Sequence, residues 1–336
     1  MAISLDTGEH TFDWLDSWAK IPDSPSARAG WAHHGLATTG AGEIIAFHPG
    51  DPRMLAFDSA GNLLRSWDAD VPEAHGITAV KEGATDYLWI ADQGAKRIPG
   101  AGYPYQPAEK GWQVLKQTLD GTTVARLERP GLAVYDEARY APTGVAVNEE
   151  RHGGNGDVWV TDGYSQNLVH RFTKAGDYVS SIDGEEGSAG RFACPHNIWF
   201  DTRKSEPELY VADRTNHRIQ VYDADGHFKR AFGADFLSSP SAFAPLNGHL
   251  VIGELRARLA IVDEHDRLIG YLGANEAVCT VDGWPNVKNT SGEPTRSHLL
   301  EPGRFNSPHG LTTDAAGNIY VSEWLIGGRF TKLARS

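Results

Sequence analysis

Histidine stands at the same place in four similar segments of the chain, where a short apolar stretch begins: His34, His75, His196 and His309. Imidazole nitrogens are preferred zinc ligands, and three of them with an open fourth position form a typical catalytic zinc site. A metal held in this way lowers the pKa of a bound hydroxyl group and polarises oxygen. We therefore predict Zn²⁺ at these residues, although imidazole also suits other divalent transition metals. The alternative is that each histidine caps its strand or forms a hydrogen bond inside the core.

Six similar segments carry these histidines and the other candidate residues. They begin near residues 34, 75, 143, 196, 241 and 309, and each contains a short apolar strand, a turn and a second apolar strand that ends in a polar or acidic residue. A third, alternating strand such as residues 218–222 follows, and then a fourth. A repeat of roughly forty to sixty residues with four strands is typical of a propeller blade. The sequence therefore predicts an all-β fold, a six-bladed β-propeller that forms a single domain over residues 1–336.

The propeller explains how histidines far apart in sequence could meet. The first strand of every blade lines the central channel, so equivalent positions lie on one ring around the axis. His75, His196 and His309 belong to alternate blades and should converge at about 120° to one another. His34 in blade 1 is a fourth candidate ligand that a three-ligand site does not need. Another nine histidines share no ring position and are interpreted as surface or structural residues: His10, His33, His152, His170, His217, His227, His249, His265 and His298.

The two ends of the chain are expected to meet in one blade. The last repeat stops after its third strand, and the segment Phe12–Trp18 resembles the outer strand Leu64–Trp67. We expect this N-terminal strand to complete the last blade and close the ring, which removes open sheet edges. Two insertions, at about 93–112 and 276–301, are rich in Gly, Pro and polar residues and are predicted to be loops. Loops of this length are usually functional lids or mobile segments.

Several other side chains could take part in chemistry near the histidines. Tyr164 can act as a general acid or base if its pKa is lowered, or it can be a buried core tyrosine. Arg214 could hold a carboxylate by a bidentate contact, or lie on the surface. Cys194 is interpreted as a small core residue. Acidic residues end the second strands and are predicted mainly to bind turn amides, with orientation of the histidines as the alternative: Asp92, Asp162, Asp213, Glu254 and Glu323.

The blade motifs resemble NHL repeats and, more narrowly, the peptidyl-α-hydroxyglycine α-amidating lyase family. The resemblance covers essentially all six blades and is carried by HGITAV (75–80), WVTDGYSQNLVHRF (159–172), PHNIWFD (195–201), YVADRTNHRIQVY (210–222) and PHGLTTD (308–314). It implies that His75, His196 and His309 bind a catalytic zinc ion. It also implies that Tyr164 and Arg214 are catalytic residues.

The chain departs from the family at three positions. The family's F-H-R-G-D segment reads FHPGD (47–51) here, so that Pro49 replaces an arginine that serves catalysis. His48 and Arg53, which lie beside this position, are therefore candidate catalytic residues of this chain. Gly310 replaces an acidic residue that helps to hold a structural Ca²⁺ in the family, which argues against that calcium site. Ser165 stands where the secreted animal enzymes have a half-cystine.

We expect a zinc-dependent lyase that breaks a C–N or C–O bond of an α-hydroxylated amide or carbinolamine-type small molecule. A metal-dependent hydrolase or lactonase is one alternative, although catalytic calcium sites prefer oxygen ligands over imidazole. A non-catalytic NHL scaffold is another. The net charge of −13 argues against nucleic acid, and no run of 18 apolar residues predicts a membrane span. Because Cys194 and Cys279 are the only cysteines and no signal peptide is visible, we expect a cytoplasmic protein.

Overall fold

A computed structural model describes residues 3–108 and 111–336 and shows six antiparallel blades around a common axis, five with four strands and the last with five. Strands β1 (Ile3–Asp6) and β2 (Thr11–Leu15) form a hairpin, which is followed by the short helix α1 (Pro25–Ala29). Blade 1 contains β3 (Ala37–Thr38), β4 (Ile44–Phe47), β5 (Arg53–Phe57) and β6 (Leu63–Asp68). Blade 2 contains β7 (Gly76–Glu82), β8 (Thr85–Asp92), β11 (Gln113–Thr118) and β12 (Thr123–Leu127), with β9 (Ala95–Arg97) and β10 (Tyr105–Pro107) inserted after β8.

The remaining blades repeat the same order of strands. Blade 3 contains β13 (Gly144–Val147), β14 (Val158–Asp162), β15 (Leu168–Phe172) and β16 (Tyr178–Ile182). Blade 4 contains β17 (Pro195–Asp201), β18 (Glu208–Asp213), β19 (Arg218–Tyr222) and β20 (Phe228–Phe232). Blade 5 contains β21 (Pro240–Leu246), β22 (His249–Glu254), β23 (Arg258–Val262) and β24 (Leu268–Leu272). The hairpin of β25 (Val287–Lys288) and β26 (Pro294–Thr295) precedes blade 6, which contains β27 (Pro308–Thr313), β28 (Ile319–Glu323) and β29 (Arg329–Arg335). Short 3₁₀ turns lie at Ala133–Tyr135, Glu150–His152, Arg214–Asn216 and Glu276–Thr280.

The N-terminal hairpin closes the ring, as predicted. Strand β2 pairs antiparallel with β29, with Phe12 opposite Arg335 and Leu15 opposite Lys332. The structure adds β1 as a fifth strand outside β2, which the sequence did not predict. Arg329 also binds Asp16, with its Nε 2.8 Å from Oδ1. The predicted six-bladed β-propeller is therefore confirmed, and its last blade is built from both ends of the chain.

Hydrophobic contacts between neighbouring blades hold the ring together. Six buried apolar clusters lie in the described part of the chain, and each one joins two adjacent blades. Trp18, for example, follows β2 and packs on Phe57 of blade 1 and Tyr320 of blade 6. Because burial of apolar side chains stabilises these contacts in proportion to the area removed from water, blade packing fixes the positions of the inner strands.

The polar residues that end the second strands hold the segments that enter the blades. Asp162 Oδ1 accepts a hydrogen bond from the Ala141 amide (2.7 Å), and Asp213 Oδ1 accepts one from the Ala193 amide (2.7 Å). Glu323 Oε1 binds the amide of Ser307 (2.8 Å), two residues before His309. The prediction that these acids bind turn amides is confirmed. They also fix the backbone that leads into the inner strands.

Both insertions contain short hairpins, so the prediction that they are loops was incomplete. Strands β9 and β10 pair between 95–97 and 105–107, and β25 and β26 pair between 287–288 and 294–295. The Gly102 amide of the first insertion donates to Glu293 of the second. The two insertions therefore support each other. Among the residues described, no helix has the length and hydrophobicity that crossing a membrane would require.

Candidate metal centre

Three imidazoles from alternate blades meet at the centre of the ring. The ring centroids of His75, His196 and His309 form a nearly equilateral triangle with sides of 4.7, 4.9 and 5.0 Å. All three side chains are at least 96% buried. The register of the inner strand shifts at Pro195/Ile198 in β17 and at Pro308/Gly310 in β27. Such bulges re-aim side chains at strand ends, and here they lie at His196 and His309.

A backbone carbonyl of the next blade orients each of these imidazoles. His75 Nδ1 donates to Thr143 O (2.6 Å), His196 Nδ1 to Ser241 O (2.9 Å) and His309 Nδ1 to His34 O (3.1 Å). A carbonyl oxygen can only accept, so Nδ1 of each ring carries the proton. The Nε2 atom of each neutral ring is therefore an unprotonated acceptor.

Glycine allows two of these carbonyls to come close. A Cβ atom on Gly76 would lie 2.7 Å from Thr143 O, and one on Gly310 would lie 2.5 Å from His34 O. Both contacts are too short for any side chain. The residue that follows His75 and the residue that follows His309 must consequently be glycine for the carbonyl to reach Nδ1. This also gives a physical reason for Gly310 where the family pattern has an acidic residue.

Two of the Nε2 atoms face each other, and Tyr164 lies between the third and one of these two. His309 Nε2 lies 3.2 Å from His75 Nε2, while Tyr164 Oη lies 3.1 Å from His75 Nε2 and 3.0 Å from His196 Nε2. Burial lowers the pKa of His75 to about 3, and it holds the pKa values of His196 and His309 well below their usual range. The three rings are therefore neutral, and the single Tyr164 proton can satisfy only one of the nitrogen lone pairs around it.

His33 joins this cluster, so the expectation that it lies apart from the other imidazoles was wrong. The His33 ring lies 4.5 Å from that of His309 and 4.6 Å from that of His75, centroid to centroid. Its Nε2 atom is 3.1 Å from Tyr164 Oη, and its Nδ1 atom is 2.9 Å from Gln93 Nε2. His33, His75 and His309 each offer a nitrogen within 4.8 Å of the others.

The structure does not bring His34 into the cluster. Its Nδ1 atom donates to Gly35 O (2.9 Å), and its ring stacks on Phe330 at 5.4 Å. His34 Nε2 is buried without a hydrogen-bond partner among the described residues. Successive side chains of an extended chain point to opposite faces. A shift of one residue therefore exchanges the predicted His34 for its neighbour His33.

His48 and Arg53 also lie outside the cluster. His48 Nδ1 accepts hydrogen bonds from the amides of Gly50 (3.1 Å) and Asp51 (2.8 Å). It therefore does in blade 1 what the strand-end acids do in the other blades. Arg53 Nη2 binds Asp68 Oδ1 (2.8 Å) in a largely exposed pair on β5 and β6.

Tyr164 and Arg214 lie together at the edge of the imidazole cluster. Arg214 Nη1 is 3.4 Å from Tyr164 Oη, and the guanidinium carbon lies 5.4 Å from the centre of the Tyr164 ring. Burial raises the pKa of Tyr164, and the positive charge of Arg214 only partly opposes this. Without a bound cation, Tyr164 keeps its proton, in contrast to the lowered pKa considered from sequence. Cys194, interpreted as a core residue, contacts Arg214, and burial raises the pKa of its thiol.

A cavity of about 370 Å³ opens beside Tyr164. Its walls include His33 and Arg214 and several residues that the sequence did not single out: Gln93, Arg97, Tyr105, Arg139, Leu255 and Trp324. Gln93, Arg97 and Tyr105 belong to the first insertion, whose length indicated a functional lid or a mobile segment without deciding between them. Arg139 carried no such signal, because it lies in a connection without a recognisable motif. Trp324 directly follows the strand-end residue Glu323, as Arg214 follows Asp213, so the repeat did mark its position.

Comparisons with known proteins agree with the fold and with the lyase resemblance. No protein-family model matches the chain. NHL repeat-containing protein 3 of Homo sapiens is 26% identical over 335 residues, which cover 93% of this chain and 85% of that protein. A probable peptidyl-α-hydroxyglycine α-amidating lyase of Caenorhabditis elegans is 28% identical over 252 residues, which cover 74% of this chain and 60% of that protein.

A solved streptogramin B lyase has the same fold, with a TM-score of 0.57, 14% identity and coverage of 98% of this chain and 100% of that one. At this identity the likeness concerns the fold alone. The six closed blades and the two sequence relatives make the chain an NHL-type β-propeller that resembles the amidating lyase family.

Proposed function

We propose that the protein is a metal-dependent lyase that cleaves the C–N bond of an α-hydroxylated amide or a related carbinolamine. The observation that carries this proposal is the triangle of three buried imidazoles, with ring centroids 4.7–5.0 Å apart and with Nδ1 of each ring bound to a backbone carbonyl. The Nε2 acceptors of His75 and His309 face each other at 3.2 Å without a proton between them, and a cation would stabilise this buried arrangement. The similarity to an amidating lyase supports the reaction class.

The residues present fit a zinc ion. His75, His196 and His309 would hold it through Nε2, and carbonyl partners on Nδ1 are the usual support of metal-binding histidines. Zn–N bonds of about 2.0–2.1 Å in a tetrahedral site separate two ligand nitrogens by about 3.3 Å. The Nε2 atoms of His75 and His309 are 3.2 Å apart. A bound zinc ion would supply Lewis acidity that favours the ionised form of a substrate hydroxyl group.

Tyr164 moves the proton in the proposed reaction. The hydroxyl oxygen of the substrate becomes a carbonyl oxygen, the C–N bonding electrons go to nitrogen, and one proton moves from oxygen to nitrogen. Tyr164 Oη donates its own proton to the leaving nitrogen and takes up the hydroxyl proton, so it is unchanged at the end. His33 Nε2, 3.1 Å away and held by Gln93, fixes the position of Oη. Arg214, beside Tyr164, binds a carboxylate next to the reacting carbon.

Metal content and product release test the proposal together. We expect purified protein to contain about one zinc or other transition-metal ion per chain, as a three-histidine site would bind. We also expect release of glyoxylate from N-acyl-α-hydroxyglycines. His196→Ala should lose the metal and the activity. His265→Ala is the control, because the His265 side chain is 66% exposed and lies in the turn between the two outer strands of blade 5. Full metal content and full activity in His196→Ala would refute the proposal.

The same measurements separate the two rival functions. A metal-loaded protein that opens lactones and leaves hydroxyglycines intact would be the hydrolase considered from sequence. A protein without stoichiometric metal and without turnover would favour a non-catalytic NHL scaffold. The buried imidazole cluster favours the lyase over both, since a scaffold does not need converging acceptors and a calcium-dependent hydrolase needs oxygen ligands.

A further inference from the structure

Three arginines line the cavity beside Tyr164, and none of them is paired with an acidic side chain. Arg97, Arg139 and Arg214 have no carboxylate oxygen within 4.0 Å among residues 3–108 and 111–336, and no Asp or Glu of those residues lines the cavity. Most other arginines of this acidic chain are paired. Examples are Arg65 with Glu43, Arg218 with Asp213 and Arg258 with Glu254. The cavity is therefore a local concentration of uncompensated positive charge.

The first insertion holds Arg97 in a fixed position. Its guanidinium carbon lies 4.2 Å from the ring centre of Tyr105 and 4.8 Å from that of Trp31. Arg97 Nη1 donates to Tyr103 O (2.8 Å), and Nε is buried without a partner in the described structure. Pairing of β9 with β10 sets Tyr105 opposite Arg97. A guanidinium stacked on aromatic rings has lost its rotational freedom before it meets a ligand, and its remaining N–H groups stay available.

Arg214 and Arg139 line the same cavity but differ in their exposure to solvent. Arg214 lies against Tyr164 and the buried imidazoles, where one carboxylate next to the reacting carbon would neutralise it. Arg139 is exposed at the mouth, on the segment between blades 2 and 3. Leu255 and Trp324 provide the apolar part of the wall. One anionic group can compensate Arg214, but it would leave Arg97 and Arg139 without a counter-charge.

We propose that the substrate carries a second anionic group, which Arg97 and Arg139 bind while Arg214 binds the first. This inference rests on the proposed lyase function and names its substrate class. The class is a dicarboxylate, an N-acyl-α-hydroxyglycine whose acyl group ends in a carboxylate. A cavity of about 370 Å³ accommodates a short acyl chain of this kind.

The experiment compares two unreactive probes that differ only in charge. N-succinylglycine has a carboxylate at each end. In the second probe, the carboxylate of the succinyl end is replaced by a primary amide, which has the same shape without the charge. Neither has the α-hydroxyl group, so neither is cleaved. Isothermal titration of zinc-loaded protein should show about 10- to 100-fold tighter binding of the dicarboxylate, as expected for one or two charge-assisted hydrogen bonds.

Variants assign this preference to the two arginines. Arg97→Met and Arg139→Met should each reduce the preference about tenfold, which is one charge-assisted contact. Binding of the amide probe should stay unchanged. Arg139 is exposed, so its replacement leaves the fold intact. Arg53→Met is the matched control and should retain the full preference, because Arg53 pairs with Asp68 away from the cavity. Equal binding of both probes to the wild type, or an unchanged preference in both variants, would overturn the inference.

The outcome for the substrate class is independent of the outcome for the reaction. Cleavage of hydroxyglycines with no preference for the dicarboxylate would leave the lyase proposal standing and refute the second anion site. A preference that depends on Arg97 and Arg139, in a protein that releases no glyoxylate, would support the anion site and refute the lyase.

Discussion

Replacement of Trp14 by alanine tests how strongly the N-terminal strand closes the ring. Trp14 lies on β2, is only 5% exposed, and packs on Phe305 with 4.7 Å between ring centroids. The Arg329 guanidinium lies 5.1 Å from its ring. A buried tryptophan removes about 150–250 Å² from water. At about 25 cal/mol per Å², burial of this area stabilises the fold by about 4–6 kcal/mol. The net effect is smaller, because a compact unfolded chain already buries part of the same area.

We expect Trp14→Ala to lower the free energy of unfolding by about 4 kcal/mol, within the range measured for buried aromatic residues. An unfolding entropy of about 2.1 cal/mol/K per residue gives roughly 0.7 kcal/mol/K for this chain, so the Tm should fall by about 6 °C. The assay is thermal unfolding followed by circular dichroism at one scan rate. Leu15→Ala on the same strand is the control, because Leu15 is 44% exposed and should change stability by about 0.5 kcal/mol or less. Equal Tm values for the two variants would refute closure by β2.

Three further predictions concern the bound metal, the role of Tyr164 and the loss of stability at low pH. Chelation should lower the Tm by about 4 °C, since metal at 100 times its Kd adds about 2.7 kcal/mol; an unchanged Tm would count against a bound metal. Tyr164→Phe should keep its metal, by elemental analysis, and lose about 10²- to 10⁴-fold in turnover; full turnover would exclude Tyr164 from proton transfer. Burial opposes ionisation of Glu208, but hydrogen bonds from Arg230, Lys229 and Lys204 lower its pKa to about 2. The ionised Glu208 side chain therefore stabilises the folded state fully above pH 4.5, and this stabilisation is lost as the pH falls through 2. In acid unfolding experiments, the free energy of unfolding of Glu208→Gln should fall less steeply over this range than that of the wild type; equal slopes for the two proteins would contradict this.

The fold could be predicted because its evidence is repeated along the chain. Each blade offers an independent set of strands and turns, and a mistake in one blade does not change the number of blades. The N-terminal segment was equally informative, since its resemblance to an outer strand predicted the pairing with the last blade that the structure shows. The fifth strand β1 could not be predicted, because an outermost strand has one exposed face and few buried residues, as the exposure of Ile3 shows.

The candidate site was predictable only where the repeat determined it. His75, His196 and His309 open equivalent strands, so symmetry alone predicted that they meet. Around them, Arg214 and Trp324 directly follow strand-end acids, but the side-chain type at this position differs from blade to blade, and Arg97 lies outside the repeat. Arg97 reaches the cavity because a two-stranded hairpin carries it there, and composition predicts such a hairpin only as a loop. Substrate specificity is therefore the part of the function that the sequence specified least.

The exchange of His34 for His33 shows most clearly what a repeat alignment could not predict about the candidate site. The two residues are adjacent, and a repeat alignment cannot separate them when the blade begins with an irregular segment, as blade 1 does before its two-residue strand β3. Backbone contacts decide the matter. The carbonyl of His34 accepts hydrogen bonds from His309 Nδ1 (3.1 Å) and Ser322 Oγ (3.1 Å), and this fixes the direction of the chain at this point. With its carbonyl bound to blade 6, His34 turns its ring towards Phe330, and His33 occupies the place beside Tyr164. The pair thus divides two tasks: the backbone carbonyl of His34 orients the His309 imidazole, and the side chain of His33 holds the hydroxyl group of Tyr164.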